Sequence, residues 1–162
     1  MFIVGIGVYA FTSSQLSEQK ITVAAVTADD PGSLAGKPVA GPFTALAQVN
    51  AIKHHIASAT GGLTYGELGN VATADGQTYN KDLTAEQSTD GQAHKAGDPL
   101  SAADAKTYAA RDTAQQGSFL QASLLVSVIA FGVAVLIMGL GLMFIVISVA
   151  LVSMNRAKLR RE

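Results

Sequence analysis

Three histidines carry the most versatile chemistry in this sequence, which contains no cysteine. His54 and His55 are neighbours, and adjacent side chains on a helix point roughly 100° apart, so one helix face cannot present both to a single ion. Zinc-binding helices instead space two histidines four residues apart. No Asp or Glu lies four residues from either histidine, and His94 lies in a separate polar segment. We therefore predict no metal site and interpret His54 and His55 as exposed helix residues.

Two adjacent acids, Asp29 and Asp30, are the other candidate for chemistry, as an acid–base pair or as calcium ligands. No calcium-loop spacing follows them, and Pro31 makes a turn the better explanation. The sequence also lacks a nucleophile elbow, a phosphate-binding glycine loop and a dinucleotide fingerprint. The absence of cysteine excludes disulfides, thiolate metal sites and a cysteine nucleophile. We expect no enzymatic activity, no catalytic residue and no bound cofactor.

The element with the clearest signature is the apolar run from residue 119 to residue 154. It contains no Asp, Glu, Lys, Arg or His, and a membrane span needs about 20 apolar residues. As one helix it would measure roughly 54 Å, which exceeds a bilayer core of about 30 Å. The pattern therefore predicts a transmembrane helix whose first turns extend out of the membrane. Because it has no ionisable residue, neither a proton relay nor haem ligation is expected in it.

The charges that follow this helix predict its orientation. Four cations, Arg156, Lys158, Arg160 and Arg161, stand at the C-terminus beside Glu162, and positive charges remain on the cytoplasmic side. Residues 155–162 are thus a basic cytoplasmic tail, and residues 12–118, with more acids than bases, form an extracytoplasmic domain. A net charge of −1 and a pI near 6.3 argue against nucleic acid as a partner.

One face of the predicted span carries small side chains at spacings close to a heptad. Small residues let helix backbones approach closely, and this approach supplies packing energy in lipid. The stripe is either a helix-packing interface, with the first helix or with another subunit, or a consequence of membrane-helix composition. We favour the interface, whose residues are Ser123, Ser127, Ala130, Ala134, Gly141 and Ser148.

The N-terminal residues 1–11 form a second apolar segment, too short to cross a bilayer core. It is either a signal-like stub or the exit half of a transmembrane helix that begins upstream, and we favour the second interpretation. Residues 16–41 predict a short extended piece and a loop. Gly41-Pro42 begins a soluble helix that Gly61-Gly62 ends, and Thr64–Glu67 matches a capping box.

The remainder of the extracytoplasmic part is a long polar loop and one more helix. Residues 70–99 are rich in Gly, Asp, Thr, Gln and Asn and have few large apolar side chains. Ser101 begins a helix predicted to run to Gln116, with Gly117-Ser118 separating it from the membrane span. The expected fold is therefore mainly α, an integral membrane protein with a small, mostly helical domain outside the bilayer.

Several segments resemble one family of small actinobacterial membrane proteins that have two spans and an extracytoplasmic domain. They are Ser13–Leu16, Gly41–Ala45, Thr64–Leu68, Ser118–Leu124, Ala130–Val133 and Met138–Gly141. Members of this family are often labelled aromatic ring-opening dioxygenases. That activity would need an iron site of histidines and a carboxylate, which these three histidines do not suggest, and we reject the label.

The resulting hypothesis is a non-catalytic accessory subunit of a larger membrane complex. By resemblance to supernumerary subunits, the complex is a respiratory supercomplex of the cytochrome bc–oxidase type in the plasma membrane. Its partners would be other membrane subunits and the lipid bilayer. Two alternatives remain open: a free-standing envelope protein that binds a lipid or a cell-wall component, and a regulator of a transporter.

Overall fold

The computed structural model describes residues 1–159, and residues 157–159 by their backbone alone. It contains three α-helices: α1 (Phe2–Glu18), α2 (Pro42–Thr60) and α3 (Ala102–Leu159). The described residues form no strand, only four isolated β-bridges. The chain is mainly helical, as predicted, and its contacts divide into two units. One comprises residues 1–25, 31–48 and those from 123 onward; the other comprises residues 26–30 and 49–122.

Helix α3 is long and apolar enough to cross a membrane. Its 58 residues correspond to roughly 87 Å of helix. The most apolar 18-residue stretch has a mean hydropathy of 2.9, and only 6% of it is buried. A core helix of a soluble protein would bury such a stretch, whereas a membrane helix exposes it to lipid.

The break predicted at Gly117-Ser118 is wrong, because α3 continues through both residues. Glycine lowers helix propensity, but a tertiary contact explains its presence here. Gly117 is buried, and a Cβ atom at this position would overlap the side chain of Ile56 on α2. The glycine therefore marks a close helix–helix contact within the second unit.

The first unit is built around a pairing of α1 with α3. The contacts run in opposite directions along the two helices, from Phe2 against Gly141 to Tyr9 against Phe131, so the helices are antiparallel. Helix α1 extends to Glu18, although residues 16–18 were predicted to be extended. Hydroxyls on its last turns bond to carbonyl oxygens: Ser17 donates to Ser13, and Ser13 donates to Ala40.

A short extended pair completes this unit. Val23 donates to the carbonyl of Lys37, and Val39 donates to the carbonyl of Ile21, each at 2.8 Å. Val23 and Val39 are buried. The short extended piece predicted within residues 16–41 thus corresponds to a small hydrogen-bonded corner.

The second unit contains the end of α2, the polar loop and the start of α3. Gly61 and Gly62 end α2 with positive φ, and Gly62 N–H donates to the carbonyl of Ala57 at 2.7 Å, which is a Schellman closure. A turn at 64–68 follows, in which Glu67 accepts the N–H of Thr64 at 2.8 Å, which is one of the two hydrogen bonds of the predicted capping box. Arg111 of α3 fixes this turn by donating to the carbonyl of Leu68 at 2.8 Å.

Candidate functional site

The polar loop contains two copies of one short pattern, at residues 73–77 and 88–92. Each copy reads Ser or Thr, any residue, Asp, Gly, Gln. The two glycines, Gly76 and Gly91, have φ values of 73° and 72°, a conformation that side chains disfavour. Each copy is therefore a tight turn that requires its glycine.

The aspartate of each copy holds its turn closed. The carboxylate of Asp75 accepts the N–H groups of Gln77 and Thr78 at 2.9 and 3.0 Å, and that of Asp90 accepts the N–H of Gln92 at 2.9 Å. Two residues after each turn stands a ring, Tyr79 after the first and His94 after the second. The two turns therefore place an aromatic ring at the same position, two residues after the end of each turn.

These two rings stack on each other and form the interior of the loop. The centroids of Tyr79 and His94 are 4.4 Å apart and their planes differ by 17°. Tyr79 is 1% exposed and packs with Val71 and Leu83 in the small apolar core of this unit. Leu83 and His94 also exchange backbone hydrogen bonds at 2.8 and 3.0 Å. The loop is therefore ordered around a core despite its polar composition.

Below the rings lies Asp104, whose side chain is fully buried. Its Oδ2 accepts the hydroxyl of Tyr79 at 2.6 Å and that of Ser88 at 2.9 Å. Its Oδ1 accepts the N–H of Thr89 at 2.6 Å, and Ser101 adds a hydroxyl donor at 3.1 Å. Buried charges persist when donors surround them. Asp104 joins the loop to the first turn of α3.

Asp90 and His94 complete the cluster. His94 Nε2 lies 3.0 Å from Asp90 Oδ1 and 4.0 Å from Asp104 Oδ2. The Ser88 hydroxyl also makes a short contact with Asp90 Oδ1. Asp90, His94 and Asp104 offer ligand atoms that all lie within 4.8 Å of one another, so these three residues are of a type and spacing that can hold a metal ion.

The surroundings shift the acidity of three groups in this cluster. For Asp104, burial acts to raise the pKa, but the bonds from Tyr79, Thr89 and Ser88 outweigh it and hold the pKa well below its usual value. The Ser88 hydroxyl, and then His94, lower the pKa of Asp90 to about 2. Burial, and then the neighbouring Asp104, raise the pKa of the Tyr79 hydroxyl. Both carboxylates are therefore ionised at neutral pH.

The arrangement differs from a nucleophilic triad. In a triad the imidazole accepts the serine proton, whereas here the Ser88 hydroxyl faces two carboxylates. This cluster was not predicted from the sequence, because His94 was considered without Asp90, four residues before it. The repeated turn pattern was the available signal, since it places Tyr79 and His94 in register.

The other residues considered for chemistry are not drawn into this cluster. His54 and His55 are exposed, with ring centroids 6.2 Å apart and nearly perpendicular planes. Thr27 and Asp30 bond to each other in a turn, in which the N–H of Asp30 donates to the Thr27 hydroxyl at 2.8 Å. This turn agrees with the prediction that Asp29 and Asp30 belong to a turn before Pro31.

The structure places two residues of the predicted membrane stripe directly against α1. A Cβ atom on Gly141 would lie 2.5 Å from the backbone nitrogen of Phe2. A Cβ atom on Gly5 would lie 2.8 Å from the carbonyl oxygen of Ala134, which is fully buried. Close backbone approach at small residues thus holds the helix pair together.

The other members of the stripe lie elsewhere on α3. Ser127 and Ala130 are partly buried, and Ser123 is exposed. Ser148 is exposed and lines an apolar groove of about 620 Å³ with Phe2, Gly141 and Phe144. Whether these four residues contact another subunit stays a prediction.

The residues proposed to set the topology lie at the end of α3. Arg156 is exposed and helical, and Lys158 lies within the helix backbone. Arg160 and Arg161 lie outside the described residues. The basic segment therefore begins as a continuation of α3.

A polar cleft of about 900 Å³ opens beside the loop in the second unit. Its floor includes Leu68, Val71 and Leu83, and amide, hydroxyl and charged side chains form its rim. The rim includes Asn70, Asn80, Lys81, Glu86, Gln87 and Thr89.

No protein-family model, curated protein or solved structure matches this chain.

Proposed function

We propose that this protein is a non-catalytic accessory subunit of a larger complex in the plasma membrane. The observation that carries the proposal is the exposed apolar surface of α3. Large apolar side chains from Phe119 to Met154 are exposed along the helix, and α1 packs against the seam through Phe131, Ala134, Met138 and Gly141. A membrane helix with one face already packed has its other faces available for lipid and for neighbouring subunits.

Two glycines on the uncovered side of α3 support a protein partner. Cβ atoms at Gly132 and Gly139 would meet nothing within 4 Å, in contrast to Gly5 and Gly141. Glycine in a membrane helix lowers apolar contact with lipid and permits a second helix to approach. The helix therefore offers small residues on a face that α1 leaves open.

The respiratory assignment rests on the family resemblance of the sequence. In this proposal the complex is a supercomplex of the cytochrome bc–oxidase type. The polar domain lies outside the membrane and the basic end of α3 lies in the cytoplasm. The network around Asp104 holds the outer domain in a fixed shape, which suits a binding surface better than a catalytic site.

Purification from native membranes in a mild detergent, followed by mass spectrometry, tests this function. We expect a fixed set of membrane subunits that includes haem-containing ones, visible in the absorption spectrum. Ser148→Leu on the exposed part of the stripe should lower recovery of these partners, whereas Leu142→Ala should not. Recovery of the chain alone, in detergents that keep respiratory complexes intact, would refute the proposal.

The polar cleft favours a second candidate function. An envelope protein that binds a cell-wall component would need hydrogen-bonding groups around an apolar floor, and the cleft provides both. Its polar rim suits a hydrophilic ligand rather than a lipid. Binding of isolated cell-wall fragments to the purified protein, with loss in Asn80→Ala, would support this alternative over the accessory subunit.

A further inference from the structure

Four polar atoms converge at the point where the second turn of the loop meets the start of α3. They are Asp90 Oδ1, Asp104 Oδ2, His94 Nε2 and Ser88 Oγ. His94 Nε2 is 3.0 Å from the Asp90 oxygen and 4.0 Å from the Asp104 oxygen, and Ser88 Oγ is 2.9 Å from the Asp104 oxygen. These atoms come from the repeated turn and from α3, so only the fold assembles them.

The separations are of the same order as those around a small tetrahedral cation. Zinc binds nitrogen and oxygen ligands at about 2.0–2.2 Å, so neighbouring ligand atoms in a tetrahedral site are roughly 3.4 Å apart. The two separations from His94 Nε2, 3.0 and 4.0 Å, lie on either side of that value. The ligand atoms of Asp90, His94 and Asp104 all lie within 4.8 Å of one another, so the three side chains are close enough to reach one ion.

A separate observation is the balance of charge and protons. Ser88 has one hydroxyl hydrogen, but its oxygen contacts carboxylate oxygens of both Asp90 and Asp104. Among the described residues, the ion-pair contacts of these two carboxylates are with His94 only. Two carboxylates, one of them fully buried, therefore have a single imidazole as their ion-pair contact, and a divalent cation would balance the remaining negative charge.

We propose that Asp90, His94 and Asp104 form a binding site for a divalent transition-metal ion, with Zn²⁺ the best match. The imidazole ligand favours zinc over calcium and magnesium, which prefer sites made of oxygen alone. Ser88 is positioned as a fourth ligand or as the donor to a metal-bound water. The ion would fix the second turn of the loop to the first turn of α3.

The surroundings suit this role. Tyr79 stacks on the His94 ring and so orients its Nε2 towards the carboxylates. Thr89 N–H and the Tyr79 hydroxyl hold the two oxygens of Asp104 in place. Such outer hydrogen bonds orient metal ligands in known sites.

The test is a titration of the whole protein with Zn²⁺ in detergent, after a chelator has removed bound metal. Isothermal titration calorimetry measures the binding. We expect one equivalent of Zn²⁺ per chain at this site. Asp90→Asn and His94→Gln should each weaken binding at least about tenfold, because each removes one ligand. Asp104 is unsuitable as the primary variant because it is fully buried and supports the fold.

The exposed histidine pair of α2 provides the matched control. His54→Gln with His55→Gln should leave the binding at the loop unchanged, and it should remove any weak surface binding. Amide exchange at Leu83 and His94 should slow on addition of Zn²⁺ in the wild type but not in Asp90→Asn. Absence of Zn²⁺ binding, or binding that only the His54/His55 variant abolishes, would overturn the proposal.

Discussion

At the scale of single residues, the buried Asp104 carboxylate is the centre of the hydrogen-bond network that orders the polar loop of residues 70–99. Four donors from three chain segments surround it: Tyr79, Ser88 and Thr89 of the loop, and Ser101 before α3. A loop with few apolar residues cannot rely on a large core. Hydrogen bonds to a buried charge, each worth about 1.5–3 kcal/mol, supply the order instead.

Tyr79→Phe should loosen this loop. The Tyr79 hydroxyl donates to the Asp104 carboxylate and accepts the N–H of Ser101 at 3.2 Å. The substitution removes both hydrogen bonds. We expect the free energy of local opening to fall by about 1–3 kcal/mol, measured as faster amide exchange at Leu83 and His94. Tyr65→Phe is the control, because Tyr65 is 43% exposed. Equal exchange in both variants would show that the Asp104 network does not hold the loop.

The first turn of the loop should open in acid. The N–H groups of Thr78 and Gln77 lower the pKa of Asp75 below 3.8. A carboxylate whose pKa is lowered in the folded state stabilises that state at any pH above its pKa in the unfolded chain. This stabilisation is lost as the pH falls through the pKa in the folded state. Amide shifts of Gln77 and Thr78 should therefore change below pH 3.8. Asp75→Asn should remove this acid transition, and its persistence in that variant would assign the transition to another group.

At the scale of elements, glycines decide where helices meet. Gly5, Gly117 and Gly141 each face another helix at a distance that leaves no room for a Cβ atom, whereas Gly7 and Gly139 face open space. Sequence alone does not separate these two classes, since all of them lie in helical segments.

Gly141→Leu should separate α1 from α3. Its side chain would overlap the backbone of Phe2, and overpacking of this kind costs about 1–3 kcal/mol. We expect a lower midpoint of thermal unfolding, as measured by circular dichroism in detergent. Gly139→Leu, on the same helix with open space around it, should leave the midpoint unchanged. A similar decrease in both variants would mean that leucine at these positions disturbs α3 itself.

Gly117→Ala should destabilise the second unit although alanine favours helix. The added methyl group overlaps the Cγ1 and Cδ1 atoms of Ile56, so this side chain must move. We expect the cost of that movement to exceed the gain in helix propensity of about 1 kcal/mol. Ile56→Ala in combination with Gly117→Ala should recover part of the lost stability. Stabilisation by Gly117→Ala alone would show that the contact with Ile56 is not tight.

At the scale of the whole molecule, the proposed topology places the polar loop outside and the basic end of α3 inside. The chain has no cysteine, so single introduced cysteines report without background. In intact spheroplasts, Thr89→Cys should react with a membrane-impermeant maleimide. Lys158→Cys should react only after the spheroplasts are lysed. The opposite pattern would contradict the orientation predicted from the terminal cations.

The sequence by itself determined the features that depend on local composition. The uncharged run 119–154 specifies an apolar helix wherever it lies in the chain, because hydrophobicity and helix geometry act residue by residue. Pro42 and Gly61-Gly62 likewise set the ends of α2 through backbone preferences alone. The continuity of α3 was not predictable in this way, since Gly117 looks like a helix end until its contact with Ile56 is known.

Only the tertiary structure decided the polar site. Asp90 and His94 stand four residues apart at the second turn, but no local pattern links them to Asp104, ten residues further along the chain. Two glycine turns with positive φ bring the rings of Tyr79 and His94 together, and the first turn of α3 supplies the carboxylate beneath them. A site made by long-range contact depends on where the loop closes, and the free energy of that closure comes from the contacts themselves.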